Sequence, residues 1–303
     1  LSINPSERLA GIGLMCAATL VFAAQDAITK SLTAELPVAQ IVFVRFAAFL
    51  IFALVYASVT EQHNPLVLVM RSRVPGVQVV RCLAMCAEIA LFAYALRFLG
   101  IAEIHALFAC FPLFVAALSV PLLGEAVGWR RWAAVCVGLA GTLIILRPGA
   151  DVFNPYALYP LVCAVIYAIY NLLTRRVSRQ DNFATSLVYF GLVGTLASGS
   201  IALFHWQPME ASSARLLGFL CLTSVCGHMM LIKALQLTEA VVLQPFHYLV
   251  LPWAIILGYL LHGEQLDVWS LIGASIVVGS GVYVAWREYR LSGAARLAPL
   301  SAE

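Results

Sequence analysis

Apolar residues in this chain do not alternate with polar ones. They run on in long blocks, such as residues 38–59 and 158–177, broken by Gly, Pro or charge. Transmembrane strands would show alternating segments of about ten residues, whereas a spanning helix needs about 20 mostly apolar residues. The blocks therefore predict helices. Cutting at the breaks gives ten spans: 9–33, 37–59, 75–98, 101–123, 131–147, 156–177, 183–204, 214–237, 240–261 and 270–287. The connections are short, the longest following the second span. The first apolar run is too long for a cleavable signal and contains Gln25, Asp26 and Lys30, so it reads as a span.

Composition agrees. Of 303 residues, 62% are hydrophobic and 11% charged; soluble domains are nearer 45–50% apolar and about 25% charged. Too few charges remain to coat a soluble chain, which excludes a soluble enzyme or a nucleic-acid binder, and the lipid bilayer is the partner implied. The net charge of +3 is ordinary for an inner-membrane protein. All eight cysteines fall in apolar runs and read as small buried hydrophobes. Trp129, Trp132, Trp206, Trp269 and Trp286 sit at span ends as interfacial anchors.

Charge also sets orientation. The end that carries both termini has Arg8, Arg71, Arg73, Arg130, Arg131, Arg175, Arg176, Arg179, Arg287, Arg290 and Arg296. The other has Lys30, Arg97, Arg147 and Arg215. The positive-inside rule then puts both termini in the cytoplasm.

The chain repeats itself. A shift of 145 lays Phe22-Ala23, Asp26 and Thr29-Lys30 on Tyr167-Ala168, Asn171 and Thr174-Arg175. A shift of 139 lays Cys82-Leu83 on Cys221-Leu222, Ala95-Leu96 on Ala234-Leu235, and Gly124-Glu125 on Gly263-Glu264. The halves, 1–150 and 151–303, have five spans each, so the second enters the membrane upside down. The expected fold is all-α: ten transmembrane helices as two inverted five-helix repeats around a central cavity. Inverted repeats are typical of secondary transporters, whose substrate sites lie at the midplane between the halves.

Pro112, Gly124-Glu125 and Gly138-x-x-Gly141 in one half match Pro252, Gly263-Glu264, Gly273 and Gly279-x-Gly281 in the other. With these motifs the chain resembles the drug/metabolite transporter superfamily over residues 9–287, within it the EamA-type exporters and among those the YddG-like amino-acid exporters. The resemblance implies a cavity lined by spans 1–4 and 6–9, with spans 5 and 10 outside as packing elements. It implies export of small metabolites, amino acids including aromatic ones, across the bacterial inner membrane by alternating access. The other substrate classes are S-adenosylmethionine, purines or nucleosides, and drug-like cations. No cofactor is implied, and the protein is expected as a monomer or weak dimer. The small residues of spans 5 and 10 agree, since they let backbones approach closely.

Ionisable groups at membrane depth face a cavity or a partner. Asp26 and Lys30, four residues apart, can pair along one helix face, with Lys30 snorkelling; alternatively Asp26 gates or carries a proton, and Lys30, Arg45 and Glu88 are the other coupling or gating candidates. Asn171 replaces Asp26 in the second half and cannot titrate. Arg45 either snorkels or binds an anion, such as a substrate carboxylate or Glu88. Glu88, mid-span, and His228 fall at comparable depths under the repeat and are candidates for lining the cavity or carrying a proton. Span nine carries Pro245 and Pro252, which kink it, and holds Gln244, His247 and Tyr248 on one face; it is the first choice for substrate contact. Gln25, Tyr94, Phe111, Tyr170 and Asn171 complete the candidate cavity. Each Gly-Glu motif reads as structural, its Glu complementing the dipole of the helix that follows. HExxH and GxSxG are absent, which disfavours an intramembrane enzyme, and no nucleotide-binding loop is present. A passive channel is the remaining alternative.

Overall fold

A computed structural model describes residues 5–60, 72–123, 129–146, 154–178, 180–237, 243 and 246–297. Among these the chain is all helix, without strands. The helices are α1 (Pro5–Glu35), α2 (Val38–Thr60), α3 (Pro75–Ala95), α4 (Ile101–Phe108), α5 (Phe111–Leu123), α6 (Trp129–Leu146), α7 (Leu158–Val177), α8 (Phe183–Ala202), α9 (Ala211–Leu237), α10 (Val250–His262) and α11 (Val268–Leu297). Six of the described segments, falling on α1–α3 and α7–α9, are long and apolar enough to cross a membrane alone. Ile101–Val115, Trp132–Leu146, Val250–His262 and Val268–Tyr283 are shorter apolar helices.

Helix ends follow local chemistry. Pro75 opens α3, where a missing N–H costs nothing. The Asn182 side chain accepts the Thr185 N–H and caps α8. Asp267 accepts the N–H groups of Trp269 and Ser270 and starts α11. Gly263, at φ +66°, ends α10 in the left-handed conformation that only glycine adopts without strain.

Spans four and nine are both broken. The fourth divides at Ala109–Cys110 into α4 and α5, just before Pro112; the ninth turns at Tyr248–Leu249, just before Pro252. Proline offers no N–H to the preceding turn and crowds its carbonyl, so each helix yields there. At both prolines the kink takes the form of a local turn, closed by bonds such as Leu113 N–H to the Cys110 carbonyl and Leu251 N–H to the Tyr248 carbonyl.

Packing joins the two halves throughout. The most extensive contacts are α1 with α9, α2 with α8, α6 with α11 and α3 with α7; α5 also packs on α7, and α10 on α1. Exchanging the halves turns α1·α9 into α7·α3 and α5·α7 into α10·α1, so the pattern maps onto itself. At the α6–α11 contact Gly141 and Gly273 face each other so closely that a Cβ on Gly273 would lie 2.6 Å from the Gly141 carbonyl oxygen. All five tryptophans expected at the interfaces are exposed. The cysteines divide: Cys82, Cys86, Cys110 and Cys163 are buried, but Cys136 and Cys226 are exposed. An apolar environment outside the bundle satisfies a thiol as well as one inside, which is why an apolar run did not imply burial for these two.

Candidate substrate cavity

A cavity of about 180 Å³ lies between the halves. None of its lining residues belongs to α6 or α11. Its α3 wall is the stripe Met85, Glu88, Ile89, Phe92 and Ala93, the 3.6-residue periodicity of one helix face. From α1 come Phe22, Gln25, Asp26 and Thr29, and from α2 Arg45. The broken spans contribute His105, Phe108, Phe111, His247 and Tyr248, and α7 and α9 add Tyr167 and His228.

The polar groups hold each other in place. Gln25 is nearly fully buried; its Nε2 donates to the Thr223 carbonyl, and its Oε1 accepts from Arg45 Nη2 at 3.2 Å and from Ser224 Oγ at 3.0 Å. The guanidinium of Arg45 is thereby fixed at the cavity wall rather than snorkelling away. His228 Nδ1 lies 2.9 Å from the Ser224 carbonyl oxygen. A carbonyl can only accept, so this nitrogen carries a proton. Phe22 and Phe49 each meet the His228 ring edge-on at 5.7 Å. Phe111 likewise meets Tyr167 at 5.0 Å and His247 at 5.6 Å.

Of the residues expected from sequence, Gln25, Asp26, Arg45, Glu88, Phe111, His228, His247 and Tyr248 line this cavity. Gln244 lies outside the described residues. Four others point elsewhere. Tyr94 is off the α3 stripe, is 37% exposed, and packs on Phe98 and Tyr159. Tyr170 lies one turn past Tyr167, beneath the Arg81 guanidinium 5.6 Å from its ring. Asn171 donates its amide to the Tyr167 carbonyl of its own helix. Lys30 is beyond the cavity, 2.6 Å from Glu264 Oε1.

The expected Asp26–Lys30 pair is not formed either. Asp26 Oδ2 instead lies 2.9 Å from His105 Nε2 on α4, because partners on other helices are better placed than a neighbour on the same helix. Glu264 also departs from expectation: its Oε2 accepts the Ile101 N–H at 2.7 Å, at the start of α4 in the other half rather than of the helix that follows it. Phe92, Thr29 and Met85 were not singled out by sequence. Spacing of three and four from Glu88 would have found Phe92 and Met85, whereas nothing in sequence marks Thr29.

The lining comes from seven spans, 1–4, 6, 8 and 9, and the expected contribution of span 7 is missing because α8 packs against α2 outside the cavity. A central cavity of this kind, with charged and polar groups held at membrane depth, defines a multi-pass membrane transporter. The chain belongs to the EamA-like transporter family, which matches it twice, over residues 9–147 and 154–286. Members of this family are transporters and not enzymes. An S-adenosylmethionine uptake transporter of Rickettsia conorii is 25% identical over 280 residues, covering 92% of this chain and 94% of the relative. A riboflavin transporter of Vibrio cholerae is 29% identical over 289 residues, covering 94% and 95%. The pseudopaline exporter CntI of Pseudomonas aeruginosa is 26% identical over 277 residues, covering 88% and 93%. A crystal structure with a TM-score of 0.62 at 19% identity covers 95% of this chain and 99% of its own, and shares the fold.

Proposed function

We propose that this transporter carries a zwitterionic metabolite that combines an amino-acid head with an aromatic or heteroaromatic ring, by alternating access across the bacterial inner membrane. The observation that carries this is the cavity's composition: the fixed guanidinium of Arg45, the carboxylates of Asp26 and Glu88, and walls of Phe22, Phe92, Phe108, Phe111 and Tyr167. Arg45 suits a carboxylate, the two acids suit an ammonium or sulfonium, and the rings suit a flat π-system. Aromatic amino acids meet this description. So does S-adenosylmethionine, itself an α-amino acid bearing adenine, which agrees with the names of the Rickettsia relatives.

In this reading residues 1–150 and 151–303 are the two inverted repeats that rock against each other, and both termini are cytoplasmic. The relatives include an uptake transporter and an exporter, so direction follows the gradient imposed. Counterflow in proteoliposomes with labelled phenylalanine, tryptophan, S-adenosylmethionine and riboflavin tests the proposal. Uptake of at least one of the first three is expected. Transport of riboflavin alone, which lacks an amino-acid head, would overturn it.

A further inference from the structure

The Gly263-Glu264 motif was expected to serve the helix after it, and its carboxylate is instead spent across the halves. Helix α4 begins after Gly100, which has no side chain to cap it. Glu264 takes that role: Oε2 accepts the Ile101 N–H at 2.7 Å, at the positive end of the α4 dipole. Its Oε1 lies 2.6 Å from Lys30 Nζ on α1, and Lys30 also donates to the Leu99 carbonyl at 2.6 Å.

Backbone geometry makes room for this carboxylate. Gly263 turns left-handed, and the Glu264 N–H returns to the Gly258 carbonyl at 3.1 Å, which folds the Glu264 side chain back over α10. A Cβ on Gly258 would come 2.8 Å from Glu264 Oε2, and one on Gly100 3.2 Å. His262, on the same turn, adds a contact of 3.1 Å to the Ala27 carbonyl.

The position of this lock is what gives it meaning. Thr29, next to Lys30, and His105, one turn along α4 from Ile101, line the substrate cavity. On the other side Gly100, Glu103, Glu264 and Gln265 line a separate polar recess. The lock therefore stands between the cavity and that recess, at the membrane face away from the termini. It grips α4, which the Ala109–Cys110 break separates from the rest of its span.

We propose that Lys30, Glu264 and the start of α4 form the gate of this face, with the short helix α4 as the moving part. The proposal rests on the alternating-access reading, but its test needs no substrate. Thr29→Cys is introduced, and its labelling by a membrane-impermeant thiosulfonate is followed from the face opposite the termini, against the labelling of the native cysteines. In the background of Glu264→Ala, and separately of Lys30→Met, labelling is expected to rise by about fivefold. Glu264→Gln, which keeps an acceptor for the Ile101 N–H, should give a smaller rise. Unchanged labelling in Lys30→Met and Glu264→Ala proteins that keep their thermal stability overturns the gate. If Glu264→Ala does not fold, unchanged labelling in Lys30→Met alone does so. A rise in labelling with no counterflow of any metabolite would sink the substrate reading and leave the gate standing.

Discussion

His105 Nε2 lies 2.9 Å from Asp26 Oδ2 inside the cavity, while the buried Nδ1 of the same ring has no partner. Asp26 therefore holds the one ring nitrogen of His105 with a polar partner among the described residues, while Phe92 packs on the ring at 5.5 Å. Asp26→Ala would leave a buried imidazole with neither nitrogen engaged. Contacts of this charged kind contribute about 1.5–3 kcal/mol, so initial transport rates in proteoliposomes are expected to fall by about 10- to 100-fold. A rate within twofold of the parent would show that the contact does not matter to transport.

Arg45 tests the head group directly. With Gln25 holding the guanidinium, Arg45→Met should weaken phenylalanine binding by about tenfold or more. Phenylalaninamide, which lacks the carboxylate, should bind both proteins alike in a thermal-shift titration. Equal losses for the two ligands would point to a packing role for Arg45.

Glu88 is almost fully buried and shares the cavity with Asp26 and Arg45. Glu88→Gln is expected to abolish the dependence of transport on a pH gradient while counterflow at equal pH persists. The measurement is uptake into vesicles with and without an imposed gradient. Persistence of the gradient effect in the variant would remove Glu88 from proton carriage.

Gly281 on α11 lies against the Tyr248 ring, and a Cβ there would overlap the phenol. Gly281→Ala should lower stability by about 1–3 kcal/mol through overpacking, read as a lower melting temperature in detergent. Tyr248→Phe should cost little, because the buried Tyr248 hydroxyl has no partner to lose.

At the face of the termini, Asp181 accepts hydrogen bonds from Ser72 Oγ, Gln78 Nε2 and the Arg73 N–H. Burial works to raise its pKa, but these bonds and the Arg73 charge outweigh it and hold the carboxyl below its usual 3.8. A depressed carboxylate stabilises the fold above its unfolded pKa, and that stability is lost as pH falls through the folded one. Acid unfolding should thus begin near pH 4 and progress below it, and Asp181→Asn should flatten this limb. An acid limb of unchanged slope in Asp181→Asn would locate the acid sensitivity elsewhere.

Sequence exposed much of this because a bilayer imposes long apolar runs and penalises buried charge. Gln25, Asp26, Arg45, Glu88 and His228 stood out as polar groups with no reason to be in hydrocarbon, and all five line the cavity. Tyr94, Tyr170 and Asn171 did not, because an aromatic or amide side chain is tolerated on any helix face and its depth says nothing of its direction. The broken spans were legible from Pro112 and Pro252, since a missing N–H is a local property.

By itself, then, the sequence determined what is local or additive along the chain: helical spans, their interruptions, the repeat, and a short list of charges too costly to face lipid. Tertiary structure alone decided the partners. Asp26 and Lys30 lie one turn apart on α1, yet Asp26 meets His105 while Lys30 meets Glu264, 234 positions away. Periodicity specifies which face a residue occupies, but which helix lies opposite depends on how the two halves pack. That is settled by close contacts such as Gly141 against Gly273, spread over the whole bundle.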